Sequence, residues 1–534
     1  MKKSICSILV ASVLCFSFVG CNSNQGKNNE YANRPKEVKL IISSDGYGEK
    51  WINDVAEYYM ENVDTETYIN VMHTVLHTEE GQKVQTGQSE ADLTAFSHAL
   101  FRSSGYLNEL TSLYDEKVYG EDKTLGEKVF PQLKDVYEED GKWYQIPTGN
   151  NCGFSFAYNK TTLDTIFGKD NYQLPRTTDE MFAFGDTLKE KDTYLTVFAL
   201  YDNTDYLRYG ANAWLAQMLG YETRQNLIDG KFFDENGEFV LQQNAEFLGD
   251  PLIKNAVTST WEVLQKLCTQ KNGYGHPNSN SMMFMDAQAA LCGLGYPNNP
   301  RKVAMMFNGP WLENEMAYLI AEMEQHQELR YMKMPVMSDI ITRTESIDTE
   351  EQLRQVISYI DGDVSERPMF VTDKDVKIIT EARNMTGSCL IYSLTIPSTA
   401  RNVRGAKDFI LFLASDVAQE IALKATNGLS VLPFGYYKSD EVEQTPFAKD
   451  VYEFSKDCIY IDSANLNKPF YAVNLFNLMY SGVEADPVAN MFANYFAQKG
   501  LTEPVHFYNK MYNFYNDSGK WQAMLEMYEA GTRN

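Results

Sequence analysis

Apolar and polar positions divide this chain into strand-like and helix-like stretches before any chemistry is considered. VKLIIS (38–43) reads as a first strand. In WINDVAEYYMEN, which follows, Trp51, Val55 and Tyr59 fall on one face of a helix. TYINVMH (67–73) alternates like a second strand, and ADLTAF (91–96) reads as a third. Strands interleaved with helices indicate an α/β unit with a mainly parallel sheet, and ligands of such sheets bind outside the carboxyl ends of the strands. SSDGYG (43–48), FSH (96–98) and NGP (308–310) all lie at such ends.

Further along, Val303 to Phe307 is an apolar run of strand length, Asn308-Gly309-Pro310 is a turn, and Leu312, Met316 and Leu319 recur at helical spacing. Proline fits the first helical position, where its missing N–H costs nothing. Trp311 is thus expected in the first turn of a helix, beside a strand end. Helical patterns dominate 176–330. Residues 338–386 are polar and charged, with a helical stretch near EEQLRQVISYI, and read as a surface insertion. RGAKDFILFLAS (404–415) is an amphipathic helix. Ser415 is placed to cap the next, DVAQEIALKATNG, which closes with Lys424 in its last turn and Asn427-Gly428 as its stop. The last hundred or so residues read as helical and aromatic.

The N-terminus adds an address. Lys2 and Lys3 precede the apolar run Ile5 to Val19, shorter than the ~20 residues of a membrane span. It ends in FVGC, the pattern of a signal peptide over residues 1–20. Gly20-Cys21 resembles the lipobox of bacterial lipoproteins, which implies cleavage before Cys21 and a lipid on its sulfur. A secreted protein with a chance cysteine there is the other reading. Residues 21–36 then form the lipidated end and a polar tether. The remaining ~510 residues exceed one usual domain, so two or more lobes are expected. Net charge is −26, two units more negative once Lys2 and Lys3 leave, with no basic block. That balance argues against nucleic acid and against electrostatic docking on anionic lipid. Apart from Cys6, Cys15 and Cys21, the cysteines are Cys152, Cys268, Cys292, Cys389 and Cys458. They are widely spaced, odd in number and without a CxxC pair, so buried free thiols are expected rather than a zinc or redox site.

Four stretches resemble the bacterial extracellular solute-binding proteins of family 1. WYQIPTGNNCGFSFAYNKTTLD (143–164) is similar to the family's segment ending in Tyr-Asn-Lys, and VAMMFNGPWL (303–312) to its Ala-Met…Asn-Gly-Pro-Trp. AKDFILFLASDVAQEIALKATNGLSVLP (406–433) is similar to its Ala-x-x-Phe-x-x-Phe-Leu…Gly-x-x-Pro segment. ADLTAFSHALFRSSGYLNELTSLY (91–114) is similar to its Asp-hydrophobic…Gly-x-Leu-x-x-Leu block. They stand in the family's order and cover most of 37–435. The resemblance implies an α/β, two-lobed periplasmic-binding-protein-like (type II) fold with a hinge and a cleft between the lobes. On that pattern the chain crosses near Asn151, Cys389 to Pro397 and Pro433. Lobe one takes 37–150 plus 395–433, and lobe two takes 153–388 plus 437–534, with the insertion at 338–386. It also implies a monomer that captures a carbohydrate outside the cell and hands it to the permease of an ABC transporter, touching the membrane only through its lipid and using no cofactor.

The site candidates follow from what a sugar offers. A pyranose has an apolar C–H face, which aromatic rings cover, and a rim of hydroxyls, which carboxylates and amides bond. Trp311 matches a stacking tryptophan of relatives resembling maltose-binding proteins; a core-capping role is its other reading. Asp45 matches an acidic sugar-binding position, and an Asx-turn explains it equally well. Phe96 matches another stacking position, although Ala99 and Leu100 stand where those relatives carry a charged pair, and His98 reads as a local hydrogen-bonder. Asn150 and Asn151 offer amides at the expected hinge, where GNN is also plain turn chemistry, beside Cys152, where the maltose type has an acid. Tyr471, with its neighbour Phe470, lies roughly where relatives place a further ring, and Trp143 divides evenly between cleft and core. Tyr158, Asn159 and Lys160 read as structural. His73 and His77 have metal spacing if helical, but they follow a strand and lack the HExxH glutamate. No P-loop, GxGxxG or GxSxG occurs. A surface-anchored glycoside hydrolase and a binding protein for a non-sugar solute are the alternatives to a sugar-capturing lipoprotein.

Overall fold

The structure is a computed structural model. It describes residues 31–43, 45–74, 77–96, 105–130, 138–139, 141–147, 153–200, 205–296, 298–388, 393–429, 432, 434–435, 442–462, 503–517 and 519–529. It begins with β1 (Lys36–Ile42), α1 (Lys50–Asn62), β2 (Thr67–His73) and β3 (Leu93–Phe96). A hairpin of β4 (Glu138–Glu139) and β5 (Lys142–Trp143) precedes β6 (Ile146–Pro147) and β7 (Ser155–Asn159). Then come α2 (Lys160–Phe167), α3 (Thr178–Glu190), β8 (Thr193–Val197) and α4 (Asp205–Leu219). The hairpin β9 (Lys231–Phe233) and β10 (Phe239–Leu241) leads to α5 (Pro251–Cys268). After β11 (Lys302–Asn308) stand α6 (Leu312–Glu315), β12 (Leu329–Met332), α7 (Glu350–Ile360), α8 (Asp373–Asn384) and β13 (Met385–Ser388). The chain continues through β14 (Ser393–Thr395), α9 (Val403–Leu413), α10 (Asp416–Ala425), α11 (Pro446–Ser455), β15 (Ile459–Asp462), α12 (Pro504–Asp517) and α13 (Lys520–Glu529).

Two sheets organise these elements. The first runs β2-β1-β3-β14-β6. Val38, Leu40 and Ile42 of β1 are buried at every second position, which fixes its register: β2 and β3 pair with it in parallel, Leu40 opposite Val71 and Leu93. The apolar positions Trp51, Ile52, Val55, Ala56, Tyr59 and Met60 of α1 recur at three and four residues and are buried against the core it shares with α9 and α10. The mainly parallel reading holds for β1 to β3, but β14 adds antiparallel, Leu394 opposite Ala95, and β6 pairs antiparallel with β14. The second sheet runs β12-β7-β11-β8 and is mixed as well: β11 and β8 are parallel, while β7 is antiparallel to both its neighbours. All five residues of β7 are buried, the signature of a strand covered on both faces.

Caps behave as their residue types dictate. The Ser415 side chain accepts from the Ala418 N–H, and Asn427 and Gly428 take positive φ, where the Gly428 N–H bonds the Leu423 carbonyl at 2.7 Å. Two expectations are corrected. The stretch 338–386 is not mere decoration: Leu353, Val356 and Ile357 of α7 and Ile379 and Ala382 of α8 enter the core of the second sheet's side. Their spacing of three and four residues is diluted there by surrounding charge. The C-terminal part, read as helical, contains β15, which pairs in parallel with β13; four residues are too few to stand out from helical neighbours.

Candidate functional site

The site begins where β11 ends. Asn308 is fully buried; its side chain accepts the Gly309 N–H at 2.7 Å and its carbonyl accepts the Tyr331 hydroxyl at 2.9 Å. These bonds hold the turn before the helix. Helix α6 starts at Leu312, later than the proline suggested: Gly309-Pro310 stay in the turn, and Trp311 is the N-cap at φ −76°, ψ −8°, its carbonyl accepting the Glu315 N–H. Leu312 and Met316 are completely buried and anchor this segment.

Trp311 is half-buried and packs on both major apolar cores, one on a single face of the second sheet and one that covers that sheet's other face and continues around the first sheet. Its indole lies over Gly309, where a Cβ would fall 2.4 Å from Cη2. Phe154 meets it edge-on at 5.1 Å and 85°, and Tyr206 at 6.4 Å and 61°; the indole N–H donates to the Tyr206 hydroxyl at 3.4 Å. Across from these, the turn after β1 closes on it. Tyr47 makes an edge contact at 6.0 Å, and the Asn314 amide donates to the Gly46 carbonyl at 2.8 Å. Phe154 continues the cluster toward Tyr209 at 4.2 Å, and its N–H bonds the Gly387 carbonyl of β13 at 2.6 Å. Aromatic rings from the turn after β1, the segment before β7 and helix α4 thus converge on one indole. Edge-to-face pairs of this kind fix ring orientation as well as adding attraction.

Asp45 opens a one-turn helix, Asp45–Tyr47, directly after β1 and one residue before the glycine that touches Trp311. Phe96 is the last residue of β3, opposite Ser393 of β14. Asn150, Asn151 and Tyr471, with Cys21, His98, Ala99, Leu100, Cys152, Cys389 and Phe470, lie outside the described residues. Trp143 joins Tyr114 at 5.1 Å on the flank of the first core, away from Trp311. Asn159 caps α2 by accepting from Thr162 and donates to the Leu291 carbonyl and the Gln327 side chain, a structural role. His73 turns to α1, near Asn53 at 3.5 Å and Glu49 at 3.7 Å; burial pushes its imidazole down despite that carboxylate. Among the described residues no group of three or more histidine, cysteine or acidic side chains could hold a metal ion, and Cys268, Cys292 and Cys458 are free thiols. Tyr47, Phe154, Tyr206 and Asn314 were not singled out from sequence; Tyr47 and Phe154 lie inside the quoted motifs, whereas Tyr206 carries no local signal.

Beside the cluster, Glu313 receives a hydrogen bond from the Thr445 hydroxyl, which also caps α11. Burial raises its carboxyl above the ordinary value, with repulsion from Asp450 and Glu328 adding to this. No helix among the described residues is long and apolar enough to cross a membrane.

Solved structures share this architecture at low sequence identity. A chitin oligosaccharide binding protein superposes with a TM-score of 0.56 at 14% identity, over 92% of this chain and 100% of that one. The solute-binding protein RafE in complex with raffinose gives 0.55 at 13%, over 90% and 98%. The GacH receptor of Streptomyces glaucescens, solved unliganded and with acarbose, gives 0.54 at 15%, again over 90% and 98%. No curated protein matches significantly. Residues 77–449, well over half the chain, match the family profile described as bacterial extracellular solute-binding protein. The chain therefore belongs to the bacterial extracellular solute-binding proteins, the non-enzymatic solute carriers of ABC import.

Proposed function

We propose that the protein captures a neutral oligosaccharide in the cleft between two lobes and presents it, closed, to an ABC permease. Lobe one is 37–150 plus 395–433 and lobe two is 153–388 plus 437–534, with Cys21 lipidated and anchoring the body to the outer face of the membrane. The observation that carries this reading is Trp311: an indole left half-buried at a strand end, oriented by Phe154 and Tyr206 from one sheet's side and by Tyr47 from the other's. Core tryptophans such as Trp214 are fully enclosed. A half-buried ring held at its edges is suited to grip the apolar face of a sugar. Asp45, Phe96, Asn150, Asn151 and Tyr471 are the proposed partners around the ligand, with Tyr206 added. The ligands of the structural neighbours, chitin oligosaccharide, raffinose and acarbose, support the class. Closure is driven only by contacts that the ligand gains in the closed state.

A thermal-shift panel of neutral oligosaccharides, with amino acids and calcium as controls, tests the class. A ligand at 100 times its dissociation constant adds about 2.7 kcal/mol. An amino acid that raises the melting temperature when no oligosaccharide does would overturn the reading. Trp311→Ala is expected to weaken the sugar found by about 1–3 kcal/mol in calorimetry; unchanged affinity in a folded variant would assign Trp311 to packing alone.

A further inference from the structure

A groove of about 1020 Å³ lies apart from the Trp311 cluster, between the Tyr158–Arg176 stretch and the outer face of α7. Tyr158 stands three residues along β7 from Ser155, which pairs with Asn308, so the groove opens roughly 10 Å from the strand end that carries the site. Its volume is at the top of the range of small-molecule pockets, about 300–1,000 Å³.

Most of the charges that line it come matched. Lys160 is held by Asp164 and Asp170, each at 2.6 Å. Arg330 clamps Asp450 through two bonds of 2.5 and 2.7 Å, and Arg383 clamps Asp361 at 2.9 and 3.1 Å. Arg354 pairs with Glu351 at 3.0 Å, and Arg176 with Asp363. A charged ligand entering here meets side chains that are for the most part already neutralised, and gains little over water. The paired groups still have capacity: a guanidinium has five N–H donors, a two-bond clamp uses two, and each carboxylate keeps spare lone pairs. Arg354, partly exposed, keeps guanidinium N–H donors beyond its bond to Glu351. Tyr172, Leu174 and Met332 contribute apolar surface between these polar groups.

Rigid, pre-paired planar donors and acceptors around an apolar floor match vicinal hydroxyls and a C–H ring face better than any charged ligand. We propose that this groove is a second carbohydrate site, taking a neutral oligosaccharide of about two or three rings independently of the cleft. The proposal stands on the groove's own chemistry and does not require the cleft to bind sugar. The test screens the mature protein on an array of neutral oligosaccharides, then titrates the strongest hit calorimetrically while following hydrogen exchange. The variants are Gln355→Trp, which fills the groove from an exposed lining position, and Arg354→Met, which keeps the stem and removes the guanidinium donors. Protection on binding at 172–176 and 351–358, with Gln355→Trp removing one equivalent of bound sugar and Arg354→Met weakening it at least fivefold, is expected. In a Trp311→Ala background the groove equivalent persists. Failure of the array to retain any glycan, binding that Gln355→Trp leaves untouched, or protection of the groove by a polar tripeptide and by no sugar would each overturn the assignment.

Discussion

Gly46→Ala isolates the contact between the turn after β1 and the Trp311 segment. The glycine's φ is not in the left-handed region, so alanine is acceptable to the backbone and the perturbation is purely steric. Its Cβ would stand 2.4 Å from Trp311 Cδ1, 2.7 Å from Cγ and 2.9 Å from Cβ. Carbon atoms pack at about 3.5–4.0 Å, so the two surfaces must part by roughly 1 Å or more. The indole has little room to retreat, because it rests on Gly309 and is flanked by Phe154. A separation of that size carries the 2.8 Å Asn314–Gly46 bond beyond hydrogen-bonding range and pulls Tyr47 from the indole edge. One hydrogen bond contributes about 1 kcal/mol and an edge-to-face pair about 0.5–1.5 kcal/mol. The closed arrangement then loses roughly 1.5–2.5 kcal/mol, a factor of about 10–70 in its equilibrium with an open one. Ligand affinity is expected to fall by that factor, and small-angle scattering of the ligand-free variant is expected to show a larger radius of gyration than wild type. The melting temperature should barely move, since replacing glycine reduces the entropy of the unfolded chain by about 0.4–1 kcal/mol in the variant's favour. A variant with wild-type affinity and wild-type scattering would refute the account of this contact.

Asn314→Ala removes the same hydrogen bond without a clash, so a smaller loss is expected, about 1 kcal/mol in ligand affinity by calorimetry; a loss as large as that of Gly46→Ala would mean Asn314 does more than hold the turn. Lys128, completely buried, binds Glu121 at 2.8 Å and Asp416 at 2.5 Å, tying the 125–128 helix to the start of α10. Lys128→Met leaves both carboxylates without their cation and should cost about 3 kcal/mol in urea unfolding, with ligand affinity unaffected in the folded fraction. Glu313 gives a pH signature. Its folded carboxyl is raised by burial, so the native state holds the proton more firmly than the unfolded chain. The associated stability is fully present below the ordinary value of 4.5 and is lost as pH rises through the folded value. Glu313→Gln should match wild type in acid and become the more stable protein at neutral pH; a difference independent of pH between 4 and 8 would contradict this assignment.

What could be read from the sequence follows from how far apart the cooperating residues stand. The strand β1 and the buried face of α1 rest on local patterns of period two and three to four. Both appear as read, because each residue's neighbour is a few positions away; β2 is a strand as read, but it buries its first three residues instead of alternating, because what covers it comes from elsewhere in the chain. Trp311 was found at a strand end for the same reason: the apolar run, the Asn-Gly-Pro turn and the anchors Leu312 and Met316 are contiguous. Its surroundings were not legible. The Asn314–Gly46 bond spans 268 positions and the Trp311–Tyr206 bond spans 105, and no periodicity encodes such pairs. The glycines sharpen the point. Gly46 and Gly309 read as turn residues, and turn chemistry is sufficient to explain them, yet each also vacates the volume an indole fills. A residue chosen for the absence of its side chain gives no sequence signal of what takes the space. The same holds for the groove beside α7: its cations and carboxylates looked like an ordinary solvated surface while counted along the chain, and only their pairing across 120 positions, as in Arg330 and Asp450, shows a wall whose charges are mostly matched. Chemistry that depends on matched partners is therefore carried by the fold. The sequence alone shows only the residue types from which such partners are drawn.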